Sequence, residues 1–245
     1  MEYNSLIHAI PALWRTMLRN DNKTKTDTVH SKDKIRIGNK YYDSNLLSNK
    51  NIYNMFIIDD VKLPTSLDKW IDEFPFLNEK DFETFYVLPN SIVTDIKCQI
   101  FQFKLLHRII ACKSNLKKWG INNDNKCTYC GMIETIEHLF VYCNQVQSFW
   151  SQITNWMKNN LETNIFLATV DILFGIPFKK HVLHNINFIV LMAKWYIYRC
   201  SLENDKLFLL TFLLELKGSI NIEYLIESLN VNNNPNKWET LSLVI

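Results

Sequence analysis

Four side chains of metal-ligand type fall within seventeen residues of this 245-residue chain: Cys127, Cys130, His138 and Cys143, in the segment CTYCGMIETIEHLFVYC. The spacing is C-x2-C-x7-H-x4-C. Two thiolates two residues apart can grip one side of an ion from a tight turn, and Gly131 supplies backbone freedom just after the second. The other two ligands must come from a short element that folds back. Three sulfurs and one imidazole nitrogen complete a tetrahedron around one Zn2+ and leave no open position for water, so the expected site is structural and not hydrolytic. In so short a segment the metal replaces a hydrophobic core and is coupled to local folding.

Other candidates for chemistry are weaker. His107 and Cys112 repeat the H-x4-C spacing, but no C-x-x-C precedes them, so Cys112 reads as a core thiol. His181 and His184 lie at i and i+3 without a third ligand and read as a surface pair. Asp59 and Asp60 end the apolar run FIIDD like the paired aspartates of a polymerase, but two-metal chemistry needs a further carboxylate on a neighbouring strand. They read as surface acids or helix caps. No phosphate loop, G-x-S-x-G, HExxH or dinucleotide fingerprint is present. No catalytic residue is assigned.

The metal cluster follows a basic block. Lys97 to Lys126 holds seven Lys/Arg against one Asp, although the chain as a whole carries only +2. Read as one long amphipathic helix, this stretch sets Phe101, Leu105, Leu106, Ile109, Ile110 and Cys112 on a broad apolar arc. It aligns Lys104, His107 and Arg108 on one stripe. Lys113, Lys117 and Lys118 extend the positive charge toward the cluster, with Trp119 beside them and Tyr129 within it. Cations and aromatics at that place suit phosphate contact and base stacking; a solvated basic face is the alternative.

The elements that position these residues read as mainly α: helical bundle-like segments around a small zinc knuckle, with at most a short β-hairpin near 35–43. Apolar residues make up 47% of the chain, enough for a core, and five Gly and six Pro exclude a disordered or collagen-like chain. The expected divisions are an N-terminal helix at 1–20, a polar linker at 21–34, a mixed hairpin and helical segment at 35–96, the basic helix and knuckle at 97–150, and a helical region at 151–245. In the last, helices are expected at about 145–159, 183–201, 205–217 and 221–229. Phe188–Tyr198 and Leu207–Leu216 are the most apolar stretches; Lys194 interrupts the first, and both are too short to span a bilayer, so they read as buried helices. Six cysteines with no secretory signal favour a reducing, intracellular compartment over a disulfide framework.

The segments FQFKLLHRIIACKSNLKKWGI and CTYCGMIETIEHLFVYC, with Phe149–Trp150 after them, resemble the zinc-binding region at the C-terminus of non-LTR (LINE-type) retrotransposon reverse transcriptases. YNSLIHAIPALWR, NKNIYNMFI, DKW, DILFGIP and AKWYIYRC extend the likeness outward with less specificity. The resemblance implies that Cys127, Cys130, His138 and Cys143 hold zinc, and that the region binds RNA or DNA beside a polymerase in a nuclear or cytoplasmic ribonucleoprotein. It carries no catalytic aspartate over, so the chain is expected to be non-catalytic alone. A protein-interaction module, by self-association or by packing on a polymerase core, and a non-functional element remnant are the competing readings.

Overall fold

The computed structural model describes residues 34–37, 40–43, 48, 64–161, 165–177 and 181–229, together with Trp238 and Leu241. The chain divides into two units, Met1–Lys62 and Leu63–Ile245. In the first, β1 (Lys34–Ile37) and β2 (Lys40–Asp43) form an antiparallel hairpin in which Ile35 faces Tyr42 and Ile37 faces Lys40. The turn expected at Gly38–Asn39 lies outside the described residues. The expected helix at 1–20, most of the polar linker and the aspartates 59 and 60 lie outside the described residues.

The second unit is helical: α1 (Thr65–Glu73), α2 (Glu79–Ile92), α3 (Ile96–Leu106), α4 (Lys113–Lys118), α5 (Asn144–Leu161), α6 (Thr169–Phe174), α7 (His181–Glu203) and α8 (Leu209–Leu229). The N-termini of α2 and α3 are set by short polar side chains. Asn78 and Asp81 form a reciprocal capping box on α2, and Asp95 accepts the Lys97 N–H at the start of α3. α7 is the central element. Every residue from Ile186 to Lys194 is buried, so this helix is enclosed on all sides, packing on α2, α3, α6 and α8. Trp70 of α1 meets Phe174 edge-on, and Phe74, Phe82 and Phe85 crowd the same ring.

The basic stretch is not one helix. α3 stops at Leu106, where the Arg108 N–H bonds the Leu105 carbonyl and the Ile109 N–H reaches back to Lys104 at 2.9 Å. This is a Schellman termination, and it places Arg108 at φ 56°, where glycine is usual. The chain re-enters a helix only at Lys113. The periodicity hid this break because apolar residues continue through it.

Two expectations for the C-terminal region also change. The segments read as separate helices at 205–217 and 221–229 form the single helix α8, which runs straight through Gly218. Leu207–Leu216 is not buried on several sides: Phe212 and Leu216 are buried, whereas Leu210 and Leu214 are 71% and 63% exposed. Among the described residues, no helix is long and apolar enough to cross a membrane.

Candidate metal centre

The knuckle begins with a single antiparallel bridge between Lys126 and Ile133, and the Cys127 N–H donates to the Met132 carbonyl at 2.6 Å. The turn between them closes through Gly131, at φ 75°, whose N–H donates to the Cys127 carbonyl. Cys127 and Cys130 are thereby presented from one tight loop. The backbone N–H groups of Tyr129 and Cys130 point at the Cys127 sulfur.

The second ligand pair uses a different device. His138–Tyr142 is a π-helical turn, closed by the Cys143 N–H bonding the His138 carbonyl at 2.9 Å. In an α-helix two residues five apart would point about 140° away from each other. The wider π turn brings His138 and Cys143 back toward one side. Cys143 immediately precedes α5, whose Gln145 and Val146 N–H groups face its sulfur. A helix N-terminus favours the anionic thiolate there.

All four ligand atoms lie within 4.8 Å of one another. Cys127 Sγ and Cys143 Sγ are 3.8 Å apart, and Cys130 Sγ is 3.2 Å from His138 Nε2. Zinc–sulfur bonds of about 2.3 Å at tetrahedral angles put two sulfurs about 3.8 Å apart, so the spacing and the donor set fit one zinc ion. Cys127 and Cys143 are buried, Cys130 is exposed and His138 half-buried, so the ion would sit with one edge toward solvent. Without metal, burial pushes the Cys127 thiol up to about 12 and raises Cys143, while burial lowers His138. The imidazole is therefore a ready neutral ligand, and the thiols need the ion's charge to ionise.

Residues 78–150 match the family model described as zinc-binding in reverse transcriptase. This stretch is a reverse-transcriptase zinc-binding region. It opens at the cap of α2 and closes inside α5, taking in the knuckle whole. No curated protein matches the chain.

The zinc-binding region is fastened to the helical body by two acids to which the sequence reading gave no role, and by Arg108 and Trp150. Glu134 is buried; its carboxylate accepts the Lys113 N–H at the start of α4 and the Ser201 hydroxyl of α7. Glu137 is buried and paired with Arg108. Trp150 Nε1 donates to the Phe140 carbonyl at 2.8 Å, satisfying the π turn. The two acids within CTYCGMIETIEHLFVYC were the available signal, since nothing in a solvated loop requires them.

The basic residues are dispersed. Arg108 does not lie on an open stripe: its guanidinium bridges Glu73 and Glu137 and stacks 3.8 Å over the Trp70 ring. His107 is half-buried between the Phe103 and Tyr86 rings, 4.1 Å and 5.2 Å away, and burial lowers its pKa. Lys113 is half-buried and its Nζ donates to Thr128 Oγ1 at 2.6 Å. Tyr129 packs against the core with its hydroxyl buried, and burial pushes its phenol up. Lys104, Lys117, Lys118 and Trp119 are exposed. Lys118 and Trp119 line an open groove of about 460 Å³ with Lys69, Ser114, Asn115 and Thr135. Lys69 of α1, in the segment DKW, was not read as a nucleic-acid contact because it lies about thirty residues before the basic block. His184, read as a surface residue, is buried and its ring lies 5.1 Å from Trp238.

Proposed function

We propose that this chain is a C-terminal part of a LINE-type retrotransposon reverse transcriptase and that it binds single-stranded nucleic acid without catalysing a reaction. The observation that carries this reading is the groove beside the knuckle, whose lining includes Lys69, Lys118 and the half-exposed Trp119, with the exposed Lys117 next in the chain to Lys118. Lysines there meet phosphates, and the indole offers a face for a base. Zinc acts at one remove: by holding residues 127–143 it fixes Thr135 and Glu137, which also line the groove. Arg108 belongs to the scaffold and is not among the proposed contacts.

The test is fluorescence anisotropy of labelled single-stranded RNA and DNA with the zinc-loaded chain across a salt series. Three phosphate contacts give a slope of log K against log salt of about −2. Lys117→Glu with Lys118→Glu should flatten that slope and weaken binding at least about tenfold at unchanged zinc content. Affinity that ignores salt, or that survives the double reversal, overturns the reading. The protein-interaction reading is favoured by a separate surface on α8.

A further inference from the structure

Helix α8 carries apolar residues on both of its faces. On α8 the buried face carries Phe212, Leu216 and Ile220, but also Glu223 and Glu227. Glu223 is held by Thr94, whose N–H and hydroxyl donate to its Oε1 at 2.8 and 3.0 Å. The opposite face carries Leu210, Leu214, Gly218, Ile222, Leu225 and Leu229. At about 100° per residue these six fall within an arc of roughly 120°. Thr211, Asn221 and Ser228 share that arc, and no charged residue does. The five aliphatic side chains are 59–81% exposed. A contiguous apolar patch of this kind, opposite a buried inner face, marks an interaction site.

Three features select the occupant. First, the stripe is nearly symmetric about Gly218: Leu214 and Ile222 lie four residues to either side, and Leu210 and Leu225 eight and seven. An antiparallel crossing of two such ridges is therefore self-complementary, as a twofold interface requires. Second, among the described residues Gly218 has no intramolecular reason to be glycine: a Cβ there would meet none of them within 4 Å, and glycine is the poorest helix former after proline. A second helix backbone approaching at this point supplies the reason. Third, the five side chains expose on the order of 600 Å² per copy. Two copies would bury on the order of 1,200 Å², the lower end of specific protein–protein interfaces. An uncharged stripe also lets identical surfaces meet without like-charge repulsion.

We propose that this face of α8 is a dimerisation surface, on which two copies of the chain cross antiparallel with Gly218 against Gly218. The inference stands on α8 alone and does not depend on nucleic-acid binding. Sedimentation of the full zinc-loaded chain from about 1 to 100 µM should show monomer giving way to dimer, as an interface of this size implies. Leu214→Glu with Leu225→Glu alters only exposed positions. It should leave the circular dichroism and zinc content intact and weaken the dimer more than about tenfold by burying unpaired charge. Gly218→Leu improves helix propensity but blocks the crossing, so it should also weaken association at least about tenfold. A monomer at every concentration overturns the proposal. So does a dimer indifferent to the double glutamate variant. A dimer that tolerates Gly218→Leu overturns the crossing point.

Discussion

Replacing Lys194 with methionine should stabilise the protein at neutral pH, and by less as the pH rises. Lys194 is only 2% exposed in the centre of α7, and no carboxylate among the described residues pairs with it. Its Nζ donates to Gln102 Oε1 at 2.6 Å and to the Leu173 carbonyl at 3.0 Å, the two bonds a neutral amine can give. Burial lowers its pKa from 10.5 to about 7. Between those values the unfolded chain binds the proton more readily than the folded one, so wild-type stability rises with pH across that window and is flat below it. The penalty for holding this amine inside is about 4 kcal/mol at pH 7 and about 2 kcal/mol at pH 9. Methionine keeps the volume and removes the penalty. It leaves Gln102 Oε1 without its donor, at a cost of about 1–2 kcal/mol, whereas the Leu173 carbonyl still accepts from Gln102 Nε2. The variant should therefore gain about 2–3 kcal/mol at pH 7 and nearly nothing at pH 9. Urea unfolding of both proteins at fixed zinc across pH 7 to 9 reads the difference, in which contributions from the metal centre cancel. A difference that does not change with pH would refute the account of Lys194 as a neutral amine.

Arg108→Ala leaves Glu137 without its partner and exposes the Trp70 ring, and should cost about 2–4 kcal/mol in urea unfolding. Arg108→Gly loses the same contacts but relieves the positive φ, so it should cost about 1 kcal/mol less than alanine; an alanine variant as stable as the glycine variant would show that the backbone there is unstrained. At the metal centre, the thiols raised by burial must lose protons when zinc binds, so zinc affinity should climb with pH, and acidification should release the ion to a colorimetric chelator. Cys130→Ser should bind zinc at least about tenfold more weakly. It should also raise amide hydrogen exchange across 126–143 while α7 stays protected; uniform loss of protection would mean that the metal holds the whole helical unit together.

Some features were legible because their causes are local. The four zinc ligands lie within seventeen residues, so turn chemistry and ligand spacing are enough to bring them together. The hairpin follows from alternation about Gly38–Asn39, and the apolar run of α7, interrupted by Lys194, requires burial whatever surrounds it. The one local device the spacing did not disclose is the π turn. It is stabilised by Trp150 and by the start of α5, and its own five residues carry no signature.

The fate of the charged groups was decided only in three dimensions. Arg108 meets a carboxylate 35 residues earlier and another 29 residues later, and its pairing turned an apparent phosphate contact into scaffold. Lys194 meets Gln102 across 92 residues. Lys69 joins the groove from α1. On α8 the composition announced an apolar helix, but which side would be covered depended on Thr94 receiving Glu223 from 129 residues away. The sequence by itself determined the metal chemistry and the helical class, because ligand type and apolar periodicity act over short stretches of chain. Only the tertiary structure decided which charges are exposed and which apolar face stays open, because desolvation and pairing depend on neighbours that the order of residues does not name.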